Sequence, residues 1–170
     1  GALTRRQAKP MADAIADMFK HNLWANLLLL DACASLSEED LKATCEGTYG
    51  SLGDTLTHML ASEERYVIAW TPTKATIGEG MPFPGFATLR KSAEASGNAL
   101  IDIASKTTAD DILRGTYRDT PYEMRAALLL GQAINHATEH RAHAATIMTQ
   151  RGLIPPRMDV LGLWMGGQSG

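Results

Sequence analysis

Apolar residues recur at helical spacing through four long stretches of the chain. From Met11 to about Ser35 the positions Ile15, Met18, Phe19, Leu23, Leu27 and Leu30 fall on one side of a helix, which predicts a first long helix there. Ser37-Glu38-Glu39-Asp40 reads as a capping box that starts a short helical turn, and two glycines within Thr44–Gly50 then break the pattern. Ser51, with Asp54 three residues on, opens a second helix that runs to about Trp70 before Thr71-Pro72 ends it. Leu52, Leu56, Met59, Leu60 and Val67 mark its buried side, and His58 lies among them.

Residues 72–87 hold three prolines and three glycines with no period. A loop of that length suits a connection crossing the end of a bundle, or a lid over a site. A third helix is expected from about Thr88 to Lys106, with Leu89, Ala93, Leu100 and Ile103 facing inward. Residues 107–120 are polar, with an Ile112-Leu113 touch-point and room for a short extended piece through Tyr117. Thr120-Pro121-Tyr122-Glu123 carries the signature of a helix start: threonine at the cap, proline at the first helical position, glutamate at the third. The fourth helix is therefore expected to run from Thr120 to Arg151, closed by Gly152. Beyond it the apolar residues follow no period and predict an irregular C-terminal tail packed across the helices. The pattern is that of an all-α protein, a four-helix bundle with a long crossover loop. Residues 1–170 read as a single domain, with residues 1–10 as a loose N-terminal arm ending in Pro10.

Composition narrows the partners. With 170 residues, 45% of them hydrophobic and 21% charged, the chain can bury a proper core. A net charge of -3 without a basic cluster argues against nucleic acid or an anionic membrane as a partner. No apolar run approaches the roughly 20 residues that span a bilayer. Nothing at the N-terminus resembles a secretory signal, so the expected location is cytoplasmic. Cys33 and Cys45 form no CxxC motif, and burial is the expected role of both.

The most chemical stretch is Gln132–Gly152. His136, His140 and His143 stand at i, i+4 and i+7, which sets three imidazoles in one stripe, together with Leu129 and Ile147. Two histidines four apart lie one above the other, roughly 6 Å apart in rise, and can close on one metal ion. His58, beside Met59 and Leu60 on a different helix, is the natural third ligand; the competing reading is a core histidine satisfied by a hydrogen bond. His21, flanked by Lys20 and Asn22, reads as a solvated histidine.

Over most of its length the chain resembles the DinB/YfiT-like superfamily of metal-binding four-helix bundles. Asn22, Trp24 and Asn26 in the first helix are similar to the family's Asn-x-x-x-Asn with an aromatic between. His58, Glu63 and Trp70 occupy the places of its histidine, acidic residue and tryptophan in the second helix. His136, His140 and Arg141 match its His-x-x-x-His-Arg, and Pro155, Pro156 and Asp159 its proline-rich turn. The resemblance implies that His58, His136 and His140 bind one divalent ion. Where many members carry glutamine, this chain has His143, which leaves open a fourth ligand, a hydrogen-bonding group behind the ligands, or a catalytic proton carrier.

Three neutral imidazoles leave coordination positions open, as catalytic zinc sites do. Imidazole suits zinc, nickel, iron and copper alike, with zinc and nickel placed first. An open position can lower the pKa of water or hold a thiol as thiolate. The family includes bacillithiol transferases and mycothiol-dependent maleylpyruvate isomerases, so the resemblance implies a metal-dependent enzyme acting on a small-molecule substrate. A low-molecular-weight thiol would be the cosubstrate, with His143 or Glu139 taking its proton. A hydrolase uses the same site with water, and the alternative of a different class is a non-catalytic bundle in which the ion is structural. The apolar-rich first helix and the resemblance together point to a homodimer.

Overall fold

The computed structural model describes residues 11–166, and the arm expected over residues 1–10 lies outside the described residues. The chain order is α1 (Met11–Cys33), α2 (Glu38–Lys42), α3 (Leu52–Ile68), α4 (Phe86–Lys106), β1 (Ile112–Tyr117), β2 (Thr120–Arg125), α5 (Ala126–Gln150) and α6 (Val160–Gly166). The protein is mostly helical, with one small two-stranded sheet.

Local chemistry sets the helix ends. At α2 the Ser37 hydroxyl accepts from Asp40 N–H at 3.1 Å while the Asp40 carboxylate reaches back to Ser37, which completes the capping box. At α3 the Ser51 hydroxyl accepts from Asp54 N–H at 3.1 Å. Gly152, at φ +75°, closes α5 in the left-handed conformation that glycine adopts without strain. Leu56, Met59, Leu60 and Leu89 are fully buried where the helical period places them, whereas Met18 is half exposed.

The expected start of the fourth helix is wrong. Thr120–Arg125 is β2, paired antiparallel with β1, and α5 begins only at Ala126. The all-α expectation therefore fails over residues 112–125. Arg118 and Asp119, at φ 47° and 63°, form the two-residue turn of this hairpin, where positive φ at both positions matches the twist of the strands. Asp119 tolerates positive φ, but neither residue is the glycine or asparagine that marks such a turn most strongly. Pro121 sits where a proline is tolerated, in a two-stranded ribbon with an open edge. The cap-like residues of Thr120–Glu123 instead serve cross-strand pairing, with Arg114 and Glu123 joined at 2.8 Å. The tail also differs from its irregular expectation, because Val160–Gly166 is helical (α6) and packs on α1.

Each of α1, α3, α4 and α5 packs on two of the others: α1 on α4 and α5, and α3 on α4 and α5. At their centre is a buried polar network. Glu63 of α3 is 2% exposed, and its Oε2 accepts from Asn22 Nδ2 at 2.8 Å and Asn26 Nδ2 at 3.0 Å, both from α1. Its Oε1 accepts from the Ser96 hydroxyl of α4 at 2.6 Å. The carbonyl oxygens of the same two asparagines accept from Arg141 Nη1 of α5, at 2.6 and 2.7 Å. Burial pushes the Glu63 carboxyl up, against the lowering pull of Ser96, Asn22, Arg141 and Asn26. Burial likewise pulls Arg141 down to about 10, opposed by Glu63. One carboxylate thus gathers all four long helices.

Glu64 next to it anchors the crossover loop. It is nearly buried, and one carboxylate oxygen accepts from Thr76 N–H at 2.7 Å and Ile77 N–H at 2.9 Å, while the other takes the Ser92 hydroxyl at 2.6 Å. Ile77 itself plugs into the core at 1% exposure, so the first half of the loop is structural.

Removing Glu63 leaves the Asn22 and Asn26 amide N–H groups buried without their acceptor and Arg141 buried without its counter-charge. Glu63→Ala should cost about 3–5 kcal/mol of unfolding free energy, the range for breaking a buried charged network. Chemical denaturation followed by circular dichroism reads it, and a loss below about 1 kcal/mol would contradict the network's structural role.

Candidate metal centre

α3 and α5 lie side by side and bring three of the five histidines together. His58 comes from the middle of α3, and His136 and His140 from successive turns of α5. His136 Nε2 lies 3.2 Å from His58 Nε2 and 3.1 Å from His140 Nε2. All three residues offer ligand atoms within 4.8 Å of one another, a group that can hold a metal ion. Nitrogens bound at 2.0–2.1 Å to a tetrahedral ion lie about 3.3–3.4 Å apart, so the observed separations suit one.

The donor chemistry fits as well. Nδ1 of His136 and of His140 is buried and has no hydrogen-bond partner among the described residues. A proton kept on Nδ1 leaves the Nε2 lone pairs facing one another, an arrangement that a shared cation resolves. Burial pulls both His136 and His140 down to about 4, with mutual repulsion among the histidines adding to it. His58 is lowered too, first by burial and then by Arg65. All three are neutral near pH 7, the state that ligates.

Metal-binding histidines commonly donate their second N–H to a carboxylate or carbonyl. Here aromatic rings set the orientation. Tyr49 stacks on His58 with centroids 4.0 Å apart and planes 15° apart, and meets His140 edge-on at 5.2 Å. Tyr66 meets His136 edge-on at 5.8 Å. Neither tyrosine is marked by sequence: Tyr49 sits in an aperiodic turn, and Tyr66 reads as one more residue of α3.

His143 is half-buried one turn on, its ring 5.4 Å from His140, and its Nδ1 is buried without a partner among the described residues. It borders the three-histidine group without belonging to it. Glu139 is exposed on the same helix. His21 is not the solvated histidine expected from its neighbours: its Nε2 is 2.8 Å from the Met158 carbonyl oxygen, where it ties α1 to the tail. Asp159 holds α6, accepting from Gly162 N–H at 2.8 Å and pairing with Arg157 at 2.7 Å. Cys33 is buried and Cys45 half-buried, and neither joins the histidines.

Alanine at His58, His136 or His140 should each remove most of a bound divalent ion, as read by elemental analysis after dialysis. Acid should release it, since protonated imidazole cannot ligate. In the metal-free protein the unfolded chain takes up protons at the ordinary histidine value of 6.5, and the folded chain only near 4. Stability is therefore fully present above pH 6.5 and falls as the pH drops toward about 4. A His58→Ala protein that binds one ion with unchanged affinity would contradict this assignment.

No helix among the described residues is long and apolar enough to cross a membrane. No curated protein matches the chain. Among solved structures it is similar to the crystal structure of a DinB-like protein from Bacillus cereus ATCC 10987, with a TM-score of 0.65 and 17% sequence identity. That likeness covers 84% of this chain and 94% of the other, and at such identity it is a likeness of fold. The model of the DinB family matches residues 11–166, which takes in the Asn22/Asn26, His58/Glu63 and His136/His140/Arg141 positions, and the chain belongs to the DinB family.

Proposed function

We propose that the chain is a metal-dependent enzyme, with His58, His136 and His140 as the ligands of one divalent ion, zinc or nickel in first place. Residues 11–166, the span matched to the family, would act as one domain. The observation that carries the reading is the convergence of three Nε2 atoms from two helices, with partnerless Nδ1 atoms behind two of them. A divalent ion at a three-nitrogen centre with open positions lowers the pKa of a thiol or a water molecule placed there.

The chain's own residues supply the rest. Tyr49 and Tyr66 fix the planes of the imidazoles. His143 takes the proton released from the nucleophile; its ring lies 5.4 Å from that of His140 and is half-buried, whereas Glu139 is exposed. The favoured nucleophile is a low-molecular-weight thiol transferred to an electrophilic small molecule, and water in the same place makes a hydrolase. A purely structural ion would bind without accepting a thiol.

His143→Ala should keep the metal and lower the rate of thiol conjugation to 1-chloro-2,4-dinitrobenzene by about 10²-fold, the lower range for loss of a general base. Loss of the ion together with the rate would make His143 a ligand, and an unchanged rate would remove it from the mechanism. The exposed Val160, Leu161 and Trp164 of α6 support a homodimer. Sedimentation at micromolar concentration should give the dimer mass, and a monomer would reject it.

A further inference from the structure

A cavity of about 420 Å³ opens beside the histidines, between the turn before α3 and the crossover loop. Tyr49 and His58 form the wall nearest the centre, Asp54 and Thr57 come from the start of α3, and Met81 and Pro82 come from the loop. Gly78 and Gly80 also line it, and a Cβ at either would meet nothing within 4 Å, so the loop backbone here stands clear of its surroundings. Tyr49 is 50% exposed although one of its faces lies on His58 and His140 meets it edge-on, which leaves the opposite face open.

The charge of this lining is one-sided. Asp54 contributes its only carboxylate, and no lysine or arginine is among the lining residues. Asp54 is exposed; its Oδ2 accepts the Ser51 hydroxyl at 2.7 Å, and it has no ion pair among the described residues. The nearby loop acid Glu79 is held by cations outside the lining, 2.7 Å from Arg65 and 3.8 Å from Arg118. A carboxylate without a cation, an open aromatic face and the apolar side chains of Met81 and Pro82 together suit one chemistry: a positive charge carried on a small apolar body. A ligand presenting a carboxylate or phosphate there would meet Asp54 with like charge.

We infer that this cavity selects small molecules carrying a protonated amine, the ammonium resting against the Asp54 carboxylate and the open face of Tyr49, with the other end directed to His58, His136 and His140. The inference rests on the proposed function in taking the cavity as the substrate's berth, and it requires no particular reaction. Asp54 also helps to start α3 through Ser51, so the informative variant is Asp54→Asn, which retains an acceptor for that hydroxyl and removes only the charge.

The test uses the full chain loaded with zinc. Benzylamine, protonated at neutral pH, and benzyl alcohol are titrated into the parent protein and into Asp54→Asn, with the Tyr49 and Thr57 NMR resonances as the readout. Asp54→Asn should weaken benzylamine about two- to fivefold, the scale of an exposed ion pair, and leave benzyl alcohol unchanged. Tyr49→Leu should weaken both probes. Circular dichroism and metal content of each sample show that fold and centre persist. Equal benzylamine affinity in the parent and Asp54→Asn overturns the inference, and so does no detectable binding of benzylamine to the parent. Elemental analysis of the same samples reports separately on the metal reading, because absence of a bound ion would defeat that reading without touching the Asp54 comparison.

Discussion

A carboxylate placed at the centre of a protein must be solvated by the protein itself, and Glu63 meets that demand with hydrogen bonds from α1 and α4, while Arg141 of α5 adds its charge behind the two asparagines. An isolated buried charge costs several kcal/mol even after relaxation, so these hydrogen bonds are conditions of folding. Asn22 and Asn26 are suited to the task because each amide offers a donor to Glu63 and an acceptor to Arg141. The two asparagines stand four apart on α1, so both amides point the same way. Charge on α3 and charge on α5 are thereby joined through neutral groups of α1.

This constraint also fixes the metal centre. Successive residues of an α-helix differ by about 100° in direction, so Arg141 reaching toward α1 turns its neighbour His140 toward α3. His136 follows, one turn earlier on the same stripe. On α3, His58 and Glu63 are five residues apart, which sends one toward α5 and the other into the interior. The roll of both helices is set by the polar network, and the imidazoles converge as a consequence. Glu64, bonded to the backbone of Thr76 and Ile77, extends the same control to the loop that borders the neighbouring cavity.

Much of this was legible in the chain, and the exceptions have physical reasons. Helical periodicity marks α1, α3 and α4 because their buried residues are aliphatic and regularly spaced. The His136/His140 pair is local to one helix, so spacing alone aligns it, whereas His58 needed the additional premise that two helices face each other. The hairpin is hidden because Thr120-Pro121-Tyr122-Glu123 satisfies the rules of a helix cap while its pairing with β1 depends on a turn of Arg118 and Asp119, which lacks the glycine or asparagine usual in such a turn. The role of Glu63 and Glu64 left a faint signal, two acids on the apolar side of an amphipathic helix. Tyr49 left none, since contacts made by a loop side chain are decided by tertiary structure. The polar neighbours of His21 in sequence point to solvent, whereas its partner is a backbone carbonyl of the distant tail.

The central claim is that three imidazoles from two helices hold one divalent ion. X-ray absorption at the zinc edge, on protein loaded with a single equivalent, tests it most directly. The account predicts three imidazole nitrogens at about 2.0–2.1 Å, the zinc–histidine distance, with the imidazole signal lost from the His58→Ala protein. An oxygen-only coordination shell, or an unchanged imidazole count in His58→Ala, would contradict it.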